Sequence, residues 1–236
     1  MNTPAAHVDP GPARTNVAGG SRDDGPSSRR GRTYTRWLVP LGLTLAYALF
    51  TVAVHLRLLD SLDVAVRHAA RPGEVWGPEQ IRAARLVNAL QPTHLALLLG
   101  LVVTALSLQR RSLRPLGVMA VIGSAVVVVT LGTKWVMAHL DPGTVPVGHG
   151  SYPSGHAVFT VTAFGVAVLL LMPGSRWGWL IPAAMGAVMG VALVLAQVHP
   201  ATDVMGAGLL AAAALASATA ASLGRWASAS RQRRVT

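Results

Sequence analysis

Residues 116–138 read LGVMAVIGSAVVVVTLGTKWVMA. No charged residue interrupts this stretch before Lys134, and it holds no proline. At 1.5 Å of rise per residue, a helix of this length crosses the roughly 30 Å hydrocarbon core of a bilayer. Arg110, Arg111 and Arg114 stand just before it, and a Gly- and Pro-rich polar loop, 139–153, follows. Both ends of a spanning helix are therefore marked.

Working outward, similar apolar spans fall at about 37–59, 93–108, 157–172, 179–198 and 204–223. Together they predict an all-α fold, a polytopic membrane protein built as a bundle of about six transmembrane helices over residues 37–223. Between the first two spans, segment 78–90 (PEQIRAARLVNAL) has the spacing of an amphipathic helix lying on a membrane surface. Residues 1–36, rich in Pro, Gly, Ser and Arg, read as a disordered cytoplasmic tail without the short apolar core of a signal peptide. Residues 224–236 read as a second, basic cytoplasmic tail. Trp37, Trp177 and Trp179 suit interfacial anchors. Gly186 and Gly190 have the spacing that lets helices approach closely.

Composition agrees. Hydrophobic residues make up 52% of the 236, and charged residues only 12%, about half the usual share of a soluble domain. The absence of cysteine excludes disulfides, thiolate metal sites and cysteine nucleophiles. A net charge of +11 would suggest nucleic acid in a soluble protein, but here the arginines sit at the ends of apolar spans. Both tails, the 109–114 turn and Arg176 are basic; loop 60–92 is charge-balanced, and loops 139–153 and 199–203 lack Lys and Arg. The positive-inside rule then puts both termini in the cytoplasm and those three loops outside.

That topology gathers Lys134, His156, His199 and Asp203 at one membrane face, where ionisable residues are costly and usually functional. Ser154 is a good N-cap for the fourth span, and Gly155 permits close approach to the backbone. The N–H groups of such a helix start bind phosphate. Pro200 suits the first turn of the sixth span, and Asp203, one turn beyond His199, is placed to accept a hydrogen bond from its imidazole. Two readings of Lys134 stay open, a site residue or a snorkelling interfacial one. For His199 and Asp203 a purely structural pair is the alternative.

Pro153-Ser154-Gly155-His156, followed by His199-Pro-Ala-Thr-Asp203, resembles the second and third signatures of the type 2 phosphatidic acid phosphatase superfamily of lipid phosphate phosphatases. Lys134, six residues, then Asp141-Pro142 matches the spacing of the first. The resemblance implies metal-independent hydrolysis of a membrane lipid phosphate or pyrophosphate, with no cofactor and no nucleic-acid partner. On the matching positions, His199 would attack phosphorus, Asp203 would orient it, and His156 would protonate the leaving oxygen and then activate water. Lys134, Ser154 and the backbone near Gly155 would hold the phosphate oxygens. Two signature arginines are missing: one position is Asp141, and Ala192-Leu193 stand where the third signature has Ser-Arg. Each charge-assisted hydrogen bond is worth roughly 1.5–3 kcal/mol, so an uncompensated double loss would slow turnover by roughly a hundred- to ten-thousandfold. His139, His149, or Arg67, Arg71, Arg82 and Arg85 of the first outer loop are the candidate replacements. The alternative is an impaired member that binds lipid phosphate or scaffolds membrane partners. Oligomeric state is not encoded in any pattern of this sequence.

Overall fold

The structure, a computed structural model, describes residues 26–140 and 152–228. In chain order it comprises α1 (Pro26–His55), α2 (Asp60–Ala70), α3 (Pro78–Ala89), α4 (Pro92–Arg110), α5 (Arg114–Leu140), α6 (Gly155–Leu171), α7 (Leu180–Leu195), α8 (Ala201–Ala220) and α9 (Leu223–Ser228), with no strand among the described residues. Thr35–His55, Pro92–Arg110, Arg114–Ala138, Trp177–Leu195 and Ala201–Ala220 are long and apolar enough to cross a membrane. The sixth apolar helix, Gly155–Leu171, is shorter. The second span gains length over its sequence-based bounds because Pro92 starts α4 one residue early and the helix runs to Arg110, where the left-handed Arg111 (φ 47°) ends it.

Helix α1 already begins at Pro26, so 26–36 are helical rather than part of an irregular tail. A helix nucleated by its apolar stretch propagates at little cost through adjoining polar residues, and proline suits the first position. Residues 1–25 and 229–236, which hold the rest of the two predicted tails, lie outside the described residues.

Helix α6 is the centre of the bundle. It packs against α4, α5, α7, α8 and α9, and most of its residues are buried, among them Ala157, Val158, Val166 and Leu170. Small residues set how near its neighbours come. A side chain at Gly186 would meet Val161 of α6, and one at Gly190 would meet Val204 of α8. The paired glycines of α7 therefore admit two different helices. The outer surface inverts the soluble pattern: Leu41, Leu45 and Leu49 of α1, Leu97 and Leu101 of α4 and Val128 and Leu131 of α5 are exposed, as lipid-facing helices require.

The two ends of the bundle differ in charge. At one end Arg110 donates to the Leu170 carbonyl at the close of α6 (3.0 Å), Arg114 stacks on Trp226 (5.3 Å) and Arg176 on Trp177 (5.3 Å). Trp177 is exposed as an anchor would be, whereas Trp179 packs against the core. The other end carries the starts of α6 and α8 and the close of α7, covered by α2 and α3. Helix α3 forms where the amphipathic pattern predicts it, and its buried face, Ala83 and Val87, lies toward α7.

Candidate active site

The turn between α7 and α8 builds the centre of the site. Gln197 adopts a left-handed conformation (φ 51°), and Val198 donates back to the Leu193 carbonyl (3.0 Å), so the chain reverses at once. Pro200, with ψ 161°, is the N-cap of α8 and offers no side-chain cap. His199 is thereby held at the helix mouth, and Asp203 lies one turn in. His199 Nδ1 is 2.9 Å from Asp203 Oδ2. A carboxylate only accepts, so Nδ1 carries the proton and Nε2 presents its lone pair. Asp203 is 3% exposed, which keeps water from competing for that bond.

The start of α6 faces this turn. The His156 ring lies 6.4 Å from the His199 ring, tilted by 59°. The Ser154 N–H donates to the Asp203 carbonyl (3.1 Å), which ties the two motifs backbone to backbone. Ser154 Oγ accepts from the Ala157 N–H (3.4 Å) and the residue is fully buried. Its hydroxyl thus caps α6, at the helix start where the sequence reading expected phosphate to be held. The first-turn N–H groups of Gly155 and His156 have no intrahelical acceptor. Space is open where a side chain at Gly155 would stand, so a ligand can reach that backbone. Lys134 is half-buried at the close of α5, within electrostatic reach of Asp203. The side chain of His139 and residues 141–151, with Asp141 and His149, lie outside the described residues.

Other residues at the site carried no recognisable signal in the sequence. Tyr152 is buried, stacks on Tyr47 (centroids 6.5 Å apart, 9° between planes) and shares a hydrogen bond with Thr51 Oγ1 (2.9 Å). Thr51 spends its own proton on the Tyr47 carbonyl (2.8 Å), so Tyr152 is the donor to Thr51. Burial pushes the Tyr152 hydroxyl up to about 12, and it stays protonated at any ordinary pH. Its ring lies where a side chain at Gly206 of α8 would stand. A Pro-Ser-Gly-His motif with an aromatic before it and a glycine three residues past Asp203 is the faint trace this leaves in the sequence.

Helix α2 contributes as well. Asp63 accepts from the Thr202 N–H (2.9 Å) and from the Thr202 hydroxyl (2.6 Å), so it caps α8 where Pro200 has no side chain to do so. Arg71 Nη1 donates to Gln197 Oε1 (2.9 Å). A pocket of about 310 Å³ beside His199 has Asp63 and Arg67 in its wall. Arg82 and Arg85 stay exposed on α3. Leu193 and Ala192, at the positions of the third signature's arginine and serine, are both buried in the apolar core. Among the described residues no group of three or more His, Cys, Asp or Glu is arranged to hold a metal ion.

The all-helical bundle thus carries paired histidines at one end. The fold is similar to that of the crystal structure of the first transmembrane PAP2 type phosphatidylglycerolphosphate phosphatase from Bacillus subtilis, with a TM-score of 0.61 and 19% identity, covering 84% of this chain and 99% of that one. Residues 84–227 match the sequence pattern of the PAP2 superfamily, and the chain belongs to that superfamily. No curated protein matches it.

Proposed function

We propose that this protein hydrolyses a membrane lipid phosphate or pyrophosphate, without a metal, through a phosphohistidine on His199. The observation that carries the reading is the 2.9 Å bond from His199 Nδ1 to the buried Asp203 carboxylate, with a second imidazole, His156, beside it. His199 Nε2 attacks phosphorus and the P–O bond to the lipid breaks. Protonated His156 gives its proton to the departing oxygen, so the lipid leaves as an alcohol or a monophosphate. Neutral His156 then takes a proton from water, whose oxygen attacks the phosphorus. The P–N bond breaks, inorganic phosphate leaves and His199 is restored. Asp203 stabilises the charge on His199 while the phosphoryl group is attached. Lys134 and the N–H groups of Gly155 and His156 hold the phosphate oxygens, and Ser154 keeps that helix start in place.

The arginines at the opposite end support a topology with both termini cytoplasmic and the site on the extracytoplasmic face. A second reading, an impaired member that binds lipid phosphate or scaffolds membrane partners, is favoured by Leu193 and Asp141 at the signature arginine positions. Phosphate release by purified protein in detergent with chelator, across a panel of lipid phosphates, separates the two. Release by wild type and none by His199→Ala or His156→Ala supports catalysis; equal values for all three would replace it with the binding reading.

A further inference from the structure

Asp63 and Arg67 stand one helical turn apart on α2 and so share a face, and Arg71 follows at its C-cap, one residue past the helix. The outer two are tied to the α7–α8 turn in opposite order: Asp63 to Thr202 (2.9 and 2.6 Å) and Arg71 to Gln197 (2.9 Å). Between Gln197 and Thr202 lies His199; between Asp63 and Arg71 lies Arg67. The two clasps therefore bring the middle residue of one set opposite the middle of the other. Arg67 and His199 line one pocket, with Asp63 and Gln197, one partner of each clasp, also in its wall.

Resting on the lipid-phosphatase reading above, we propose that Arg67 is a substrate-binding residue that supplies from α2 the phosphate-holding guanidinium missing at positions 141 and 193. A guanidinium presents paired N–H groups that match two phosphate oxygens. Position 193 is closed to that task here, because Leu193 is fully buried in the core. No signature residue lies on α2, which ends before the region matched to the superfamily begins. The carboxylate of Asp63, also in the pocket wall, has both oxygens engaged by Thr202. The rest of the wall is Val64, Val66, Val194, Pro200 and Ala201 with Gln197. Such a pocket takes a phosphate ester whose first carbons are apolar: phosphate at Arg67 and His199, chain along the valines.

The test uses the full chain in detergent, with two readouts on wild type, Arg67→Gln, Arg67→Lys and the charge control Arg176→Gln at the opposite end of the bundle. One readout is phosphate release from dioleoyl phosphatidic acid micelles. The other is orthovanadate binding by calorimetry, which needs no turnover. Arg67→Gln is expected to raise KM and weaken orthovanadate binding by about ten- to a hundredfold, Arg67→Lys to recover part of both, and Arg176→Gln to match wild type. Turnover and orthovanadate binding by Arg67→Gln within twofold of wild type would overturn the proposal and leave the phosphatase reading standing. Orthovanadate binding that depends on Arg67 in a wild type without turnover would uphold the proposal and overturn the catalytic reading. Neither binding nor turnover by wild type would overturn both.

Discussion

The backbone N–H of Ser154 donates to the carbonyl of Asp203 at 3.1 Å. This bond joins the mouth of α6 to the first turn of α8, so His156 and His199 keep their separation only while both helices hold their places. Pro153 and Pro200 flank the junction, and neither has an N–H that could form an alternative bond there.

The polarity of the His199–Asp203 pair makes the first prediction. Asp203→Asn preserves size but offers an amide in place of a carboxylate, which no longer selects the Nδ1–H tautomer or stabilises a charged imidazole. Turnover is expected to fall on the order of a hundred- to ten-thousandfold with little change in melting temperature. A phosphoenzyme trapped by acid quench with a labelled substrate should be absent in His199→Ala. An Asp203→Asn enzyme of wild-type kcat would refute the pair's catalytic role.

Tyr152 and Gly206 make the second. Any side chain at Gly206 runs into the Tyr152 ring, so Gly206→Ala must displace the residue that leads into Pro153-Ser154. Overpacking of this kind costs about 1–3 kcal/mol, and kcat should fall along with stability. Tyr152→Phe removes one donor to Thr51 and should cost only about 0.5–1.5 kcal/mol. Thermal unfolding in detergent measures both; equal effects from the two variants would contradict the packing account.

Asp63 is an N-cap borrowed from another helix, so Asp63→Ala should cost about 0.5–2 kcal/mol and free α2 from α8. Faster hydrogen exchange over residues 60–70 and at the first turn of α8 is the expected signature. Exchange unchanged in both segments would show that α2 is held by other contacts.

The topology is open to direct test because the chain has no cysteine. Glu79→Cys on α3 should react with a membrane-impermeant thiol reagent added to intact cells. Ser112→Cys, in the α4–α5 turn, should react only after permeabilisation. The reverse pattern would invert the orientation.

Much of the fold is legible in sequence because hydropathy is a local property. A run such as 116–138 must be a helix in lipid, since every backbone polar group needs an internal partner there. The His199–Asp203 pair was equally legible, being a contact across a single turn, and so was the N-cap position of Ser154. The burial of Ser154 was not legible, because it depends on α8 lying against α6.

The clasp of Asp63 on Thr202 joins residues 139 positions apart, and Arg71 reaches Gln197 across 126. In the sequence those charges balance one another, and Arg67 and Arg71 are only two of several candidates for the missing arginines. By itself the sequence determined the membrane-spanning helices, the Ser154 cap and the short-range motif pairs, since each rests on periodicity or on contacts within a turn. Only the tertiary structure decided which surface helix covers the site, where Tyr152 packs and which arginine comes opposite His199. Those outcomes follow from how close the helices can approach, and that is set jointly by Gly186, Gly190 and Gly206 together with the distant side chains that fill the space they leave.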